Sequence, residues 1–126
     1  MPVMSLPAND DEVLLIHNPA CSKSRATRAL LEERGLDAHE RLYLEEPLTR
    51  DELADLARRL GRPVREWVRR GEAAFREAGL ADVTDDGPLL DALAAHPGLL
   101  ERPIVVRGER AAVGRPPAAV LELFDE

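Results

Sequence analysis

The chain has 126 residues and a net charge of −7, and 44% of its residues are hydrophobic. This length predicts one domain, and the acidic charge argues against sequence-independent binding to nucleic acid phosphates. No apolar stretch approaches the roughly 18 residues expected of a membrane-spanning helix, and residues 1–11 lack the basic and apolar segments of a signal peptide. We therefore expect a cytoplasmic protein with no nucleic acid or membrane partner.

The single cysteine, Cys21, stands between a predicted strand and a predicted helix. The apolar run from Val13 to Ile16 is typical of a buried strand, and the helix-forming segment after Cys21 ends at Gly35. A thiol at a helix start meets unpaired N–H groups and the positive end of the helix dipole, which favour the nucleophilic thiolate. The same N–H groups can bind an anion. From position alone, a reactive thiol and a buried structural cysteine fit about equally well.

Two inward faces are predicted next to this loop. In the helix after Cys21, Ala26, Leu30 and Leu31 share one face at helical spacing, and Thr27 is a further candidate for the same face. A second strand is predicted over residues 39–44, with Leu42 and Leu44 on one side and Tyr43 on the other.

Four helices are predicted in the middle of the chain, and the first begins with the capping box of Thr49 and Glu52. Strands follow at 103–106 and 110–113 around a turn, and a last helix begins at Pro116. Without its helical middle, this order is the skeleton of a thioredoxin-like domain.

We therefore predict an α/β, thioredoxin-like fold, with a mixed sheet, flanking helices and an inserted helical region. Residues 1–11 are expected to form a flexible extension, and residues 12–126 a single domain with the helical insertion at about 49–97.

A series of motifs runs through the chain: His17-Asn18-Pro19 before Cys21, Ser24-Arg25, Tyr43-Leu44-Glu45, Arg69-Arg70, Thr84-Asp85-Asp86, His96-Pro97, Arg102-Pro103-Ile104 and Arg115-Pro116. In this order and at this spacing, the motifs resemble those of the glutaredoxin- and glutathione-dependent arsenate reductases, the ArsC family. The resemblance covers roughly residues 12–124 and implies a thioredoxin-like fold with an inserted helical region.

The resemblance implies that Cys21 is the nucleophile that attacks arsenate. It also implies that Arg69, Arg102 and Arg115 surround the oxyanion. Sequence spacing does not bring these arginines together, and each of them also fits a solvated surface charge. Arg70 is a rival to its neighbour Arg69.

Further roles follow from the same resemblance. Ser24 and Arg25 would belong to the anion-binding loop, and His17 would influence the ionisation of the thiol. Pro103 falls where thioredoxin-like folds carry a cis-proline that faces the active cysteine. With one cysteine and scattered histidines, we expect no metal site.

The implied activity is that of an arsenate reductase with no bound cofactor. Because the chain has no CxxC motif, a second thiol must come from outside. We expect glutathione as the external reductant and glutaredoxin as a protein partner.

Two alternatives remain open from the sequence. Ser22-Lys23 replaces the Gly-Thr of the best-known arsenate reductases, which favours another glutathione-linked thiol oxidoreductase with a different substrate. A non-enzymatic regulator that binds RNA polymerase ranks lower, because such regulators sense oxidation through a CxxC motif that this chain lacks.

Overall fold

A four-stranded mixed sheet of order β2-β1-β3-β4 lies at the centre of the computed structural model, which describes residues 6, 12–80 and 82–124. The strands are β1 (Val13–His17), β2 (His39–Leu42), β3 (Ile104–Arg107) and β4 (Arg110–Val113). β1 pairs in parallel with β2 and antiparallel with β3, and β3 forms a hairpin with β4. The apolar run of the sequence thus forms an inner strand of the sheet, where both faces are covered.

Four α-helices and three 3₁₀ segments surround the sheet in the described part of the chain. The helices are α1 (Ser22–Glu33), α2 (Arg50–Leu60), α3 (Ala73–Glu77) and α4 (Asp86–Ala95), and the 3₁₀ segments are Val64–Trp67, Pro97–Leu99 and Pro117–Phe124. The predicted order of elements is therefore observed, but the segments after Pro63 and Pro116 form 3₁₀ turns. Their N–H groups bond three residues back, as in Glu66 to Pro63 at 3.0 Å and Ala119 to Pro116 at 2.9 Å.

The predicted capping box at the start of α2 is present. The N–H of Glu52 donates to the Thr49 hydroxyl at 3.1 Å, and the N–H of Thr49 donates to the Glu52 carboxylate at 2.9 Å. Because both bonds satisfy donors that the helix leaves unpaired, this end of α2 is well fixed.

Two predicted faces are only partly right. In α1, Thr27 and Leu31 are buried as predicted, but Ala26 is exposed and Ser24 is buried. β2 stops at Leu42, whose carbonyl oxygen accepts the N–H groups of the turn that follows. The turn breaks the alternation expected of a strand, so Tyr43 lies in the core and Leu44 is 52% exposed.

The alternation of β1 and β3 divides the core into two parts. Ile16 and Ile104 face the larger part, which also contains the apolar side chains of α2 and α4. Leu15 and Val105 face the smaller part, with residues of α1 and of the last 3₁₀ segment. The helical middle of the chain therefore covers one face of the sheet, and α1 covers the other.

Leu6 is buried in the larger core. The other residues of the predicted extension 1–11 lie outside the described residues, so that part of the domain prediction stays a prediction. In the described ranges, no helix combines the length and apolar character needed to cross a membrane.

Candidate active site

Cys21 is the N-cap residue of α1, directly after the loop that leaves β1. The loop is closed by two hydrogen bonds to Asn18: the N–H of Cys21 reaches its carbonyl oxygen at 2.9 Å, and the N–H of Ala20 reaches its side-chain oxygen at 3.0 Å. The backbone of Cys21 is extended, with φ −96° and ψ 126°, so the chain turns into the helix at this residue. The thiol is half-buried at the first turn of α1.

Ser24 and Arg25, predicted to bind substrate, brace this loop from within the helix. The fully buried Ser24 accepts a hydrogen bond from the N–H of Asn18 at 3.3 Å. Arg25 donates from Nη1 to the carbonyl oxygen of Pro19 at 2.9 Å. Both side chains therefore hold the shape of the loop, and their contact with an oxyanion stays a prediction.

The surroundings of Cys21 favour the thiolate. Burial raises the pKa of the Cys21 thiol, but the backbone N–H groups of Ser24 and Lys23 lower it, as does the Arg102 guanidinium. The donors outweigh the burial, so the pKa of Cys21 lies below its ordinary value. This is the behaviour expected of a thiol at a helix N-terminus beside a cation.

His17 is 2% exposed at the end of β1, and its Nδ1 has no hydrogen-bond partner among the described residues. Burial lowers the pKa of His17, and this effect exceeds the opposing attraction of Glu40. The imidazole is therefore neutral at neutral pH. A neutral ring exerts no net charge on the thiol, and the predicted tuning of Cys21 by His17 stays a prediction.

Arg115 reaches the thiol from the loop after β4. Its Nη2 lies 4.0 Å from the Sγ of Cys21. Its Nε donates to the carbonyl oxygen of Arg102 at 2.9 Å and lies 3.0 Å from the carboxylate of Glu101. The guanidinium edge that carries Nε and Nη2 thus contacts both the segment before β3 and the cysteine.

Arg102 precedes Pro103 and the start of β3. Its guanidinium lies near the Cys21 thiol and lowers the pKa of that thiol. Its Nε is buried and has no hydrogen-bond partner among the described residues. An oxyanion next to the thiol would give this donor an acceptor.

Arg69 reaches the same region because two distant segments pair. Val68 and Leu100 form an antiparallel bridge, in which the N–H of Arg69 donates to Leu99 at 2.7 Å and that of Glu101 to Trp67 at 3.0 Å. This places the Nε of Arg69 at 3.9 Å from the Glu101 carboxylate. The neighbouring Arg70 is exposed. The structure therefore brings Arg69 together with the residues around Cys21.

Two residues at the site were missed by sequence reasoning, Glu101 and Tyr43. Glu101 lies between arginines, and no spacing in the sequence distinguishes it from a surface carboxylate. Burial raises the pKa of Tyr43, while Arg102 and a hydrogen bond with Asn18 lower it. Tyr43 thus lies next to the site, whereas sequence reasoning included it in the Tyr43-Leu44-Glu45 motif without assigning it a role.

Pro103 begins the approach to β3, and the peptide bond between Arg102 and Pro103 is cis. A Cβ added at Gly114 would lie 2.7 Å from Pro103 Cγ and 2.7 Å from Thr27 Oγ1. The close approach of β3, α1 and the Arg115 loop thus depends on the absence of a side chain at Gly114. In the described residues, no cluster of three or more acidic, histidine or cysteine side chains could hold a metal ion.

A mixed sheet with a cysteine at the first helix start and arginines around it defines a thiol-dependent protein with a thioredoxin-like fold. The chain belongs to the ArsC family, whose model matches residues 16–123.

Individual relatives match over most of their length. The chain is 40% identical to an arsenate reductase from Haemophilus influenzae, over 89% of this chain and 98% of that protein. It is 47% identical to an arsenate reductase from Neisseria meningitidis serogroup A, over 83% and 92% of the two chains. A solved structure titled arsenate reductase from Vibrio cholerae superposes with a TM-score of 0.85 at 44% identity and covers 93% of this chain and 99% of its own. The predicted family and fold are confirmed.

Proposed function

We propose that this protein is an arsenate reductase whose nucleophile is Cys21. The main support for this proposal is the position of the Cys21 thiol beside the guanidinium groups of Arg102 and Arg115. The pKa of this thiol is lowered. Relatives that are 40% and 47% identical carry the name arsenate reductase and support the same substrate.

In the proposed complex, the arsenate dianion lies over the N-terminus of α1, with Arg69, Arg102 and Arg115 around it. Backbone N–H groups and guanidinium forks both fit a tetrahedral oxyanion. These donors also stabilise the charge that develops on oxygen when the thiolate attacks. Ser24 and Arg25 keep the loop in the shape that this binding requires.

In the first step, the Cys21 thiolate attacks arsenic. An S–As bond forms, one As–O bond breaks, and the oxygen leaves as water after it has taken up two protons. Arsenic stays pentavalent in this step, so the reduction itself needs further thiols. Because the chain contains one cysteine, those thiols come from other molecules.

Glutathione supplies the second thiol and displaces another oxygen as water, so that arsenic is bonded to both sulfurs. A glutaredoxin thiolate then attacks the glutathione sulfur. The glutathione S–As bond breaks, its electron pair stays on arsenic, and arsenic becomes trivalent while glutathione ends in a mixed disulfide with glutaredoxin. Water finally displaces the Cys21 thiolate and releases arsenite. This supply of glutathione fits a cytoplasmic location, which belongs to the same proposal.

The test is arsenate-dependent oxidation of glutathione by the purified protein in the presence of glutaredoxin. Cys21→Ser is expected to abolish turnover, whereas Arg70→Ala, which changes an exposed arginine next to Arg69, is expected to keep it. Appreciable turnover by Cys21→Ser would overturn the assignment of the nucleophile. Activity of the wild type on a glutathione mixed disulfide, without activity on arsenate, would overturn the proposed substrate.

A further inference from the structure

Glu101 places a carboxylate among the arginines of the site. Its Oε1 lies 3.0 Å from Arg115 Nε and 3.9 Å from Arg69 Nε, and it accepts the N–H of Arg102 at 3.3 Å. The same Arg115 guanidinium that contacts Glu101 extends its Nη2 to the Sγ of Cys21 at 4.0 Å. A negative, acceptor-only group thus borders a site that is otherwise built from donors.

A carboxylate beside an anion site repels the bound anion, unless that anion carries a proton that it can donate to the carboxylate. Arsenate and phosphate retain at least one O–H group near neutral pH, and sulfate retains none. A protonated oxygen can donate to Glu101 while the other oxygens accept from the arginines. A sulfate oxygen in the same place would meet a carboxylate with no hydrogen between them.

We propose that Glu101 is a specificity residue, which accepts a hydrogen bond from the bound oxyanion and selects protonated tetrahedral oxyanions over sulfate. This inference rests on the proposed function in one respect, namely that the oxyanion binds between Cys21 and the arginines. It does not depend on the later reduction by glutathione.

The pairing between residues 67–69 and 99–101 makes this role structurally possible. The backbone N–H of Glu101 is tied to Trp67, whose side chain is fully buried, so the carboxylate starts from a fixed point. Its side chain is 24% exposed, so the carboxylate is not sealed inside the core and a solute can reach it. A hydrogen bond to a charged group changes binding by roughly tenfold to a hundredfold, which sets the expected size of the preference.

A purely structural role for Glu101 predicts a different result. If the carboxylate only neutralises Arg69 and Arg115, its removal strengthens the binding of every oxyanion by a similar factor. The ratio of phosphate to sulfate affinity then stays constant. The ratio, and not either affinity alone, therefore distinguishes the two roles.

The experiment measures how phosphate, arsenate and sulfate protect Cys21 from alkylation by iodoacetamide, at pH 7 and constant ionic strength without glutathione. The wild type is expected to bind phosphate and arsenate at least tenfold more tightly than sulfate. Glu101→Gln and Glu101→Ala, with folding checked by thermal unfolding, are both expected to lose this preference. Glu72→Gln is the matched control, because the Glu72 carboxylate also pairs with Arg69, at 2.9 Å. The side chain of Glu72 is more exposed than that of Glu101.

The proposal is overturned if the wild type binds sulfate as tightly as phosphate, or if a folded Glu101 variant keeps the wild-type ratio. It is also overturned if Glu72→Gln changes the ratio as much as Glu101→Gln. In a further outcome, the Glu101 variants lose the preference while the wild type fails to reduce arsenate. That result would support the role of Glu101 and overturn only the proposal that the protein is an arsenate reductase.

Discussion

Arg115 places its Nη2 4.0 Å from the Sγ of Cys21, although 94 residues separate the two in the chain. The contact depends on the neighbouring donor of the same guanidinium edge, Nε, which donates to the Arg102 carbonyl oxygen and pairs with Glu101. Because a guanidinium is planar and rigid, fixing Nε also fixes the direction of Nη2. The thiol therefore faces a preorganised cation.

Arg115→Lys tests whether this geometry matters beyond charge. A lysine keeps the positive charge, but it lacks the planar guanidinium whose fixed donors contact Glu101, the Arg102 carbonyl oxygen and an oxyanion together. We expect the KM for arsenate to rise roughly tenfold to a hundredfold, the effect of losing a hydrogen bond to a charged group. Steady-state kinetics with glutathione and glutaredoxin in excess give the values.

Arg70→Lys serves as the control for this substitution, since Arg70 is exposed one position from Arg69. Its KM is expected to match that of the wild type. Equal KM values for Arg115→Lys and the wild type would show that charge alone suffices at position 115.

Gly114→Ala tests the close packing behind the site. The added Cβ would lie 2.7 Å from Pro103 Cγ and from Thr27 Oγ1, a distance that requires one of them to move. We expect a loss of about 1–3 kcal/mol in the free energy of unfolding, as for overpacked core positions. Urea unfolding measures the loss, and a lower kcat/KM should accompany it because Arg102 and Arg115 flank the affected residues.

Gly87→Ala provides the comparison, because a Cβ there meets no atom within 4 Å and the residue lies in α4. Alanine is favoured over glycine in helices, so stability should be unchanged or slightly higher. The packing argument fails if both alanine variants unfold at the same urea concentration.

Local signals in the sequence predicted the cysteine loop well. The apolar run of β1, the helix start at Cys21 and the capping box of Thr49 and Glu52 each depend on neighbouring residues. The inward face of α1 was predicted only in part, because Ser24 is buried by its hydrogen bond to the cysteine loop and not by its own hydrophobicity.

The arginine cluster could not be derived from local patterns. Arg69 joins the site through the bridge between Val68 and Leu100, which lie on segments with two helices between them. Glu101 is an ordinary acidic residue in the sequence, and its position among arginines appears only when these segments pair. The resemblance to the ArsC family identified the three arginines by their positions in the sequence, but it assigned no role to Glu101.

The buried ion pair of Arg41 and Glu52 is expected to be a main determinant of stability. Their side chains are 8% and 4% exposed, and Arg41 Nη2 donates to the Glu52 carboxylate at 2.9 Å. Arg41→Ala leaves a buried carboxylate without its cation, which costs about 3–5 kcal/mol. Urea unfolding gives the free energy of unfolding of each variant.

The exposed pair of Arg58 and Glu109 is the contrast for this prediction, with side chains that are 57% and 63% exposed. Arg58→Ala should lower the free energy of unfolding far less than Arg41→Ala does, because water screens exposed pairs. If Arg41→Ala and Arg58→Ala lower the free energy of unfolding by similar amounts, burial does not determine how much these ion pairs stabilise the protein.

The lowered pKa of Cys21 predicts a specific dependence on pH. Because the folded protein releases the thiol proton at lower pH than the unfolded chain, the unfolded state binds more protons between the two pKa values. The free energy of unfolding should therefore rise with pH through that window, and Cys21→Ser should lack this rise. The alkylation rate of the wild type should increase at a pH below that typical of a free cysteine.

Arg102→Gln and His17→Gln separate the causes of this shift. The Arg102 guanidinium lowers the pKa of Cys21, so its removal should raise the pH at which the thiol becomes reactive. Burial lowers the pKa of His17, which disfavours a charged imidazole beside the thiol, and His17→Gln should shift the alkylation profile less than Arg102→Gln does. A shift caused by His17→Gln that equals the shift caused by Arg102→Gln would mean that the imidazole is charged near the thiolate, against its burial in β1.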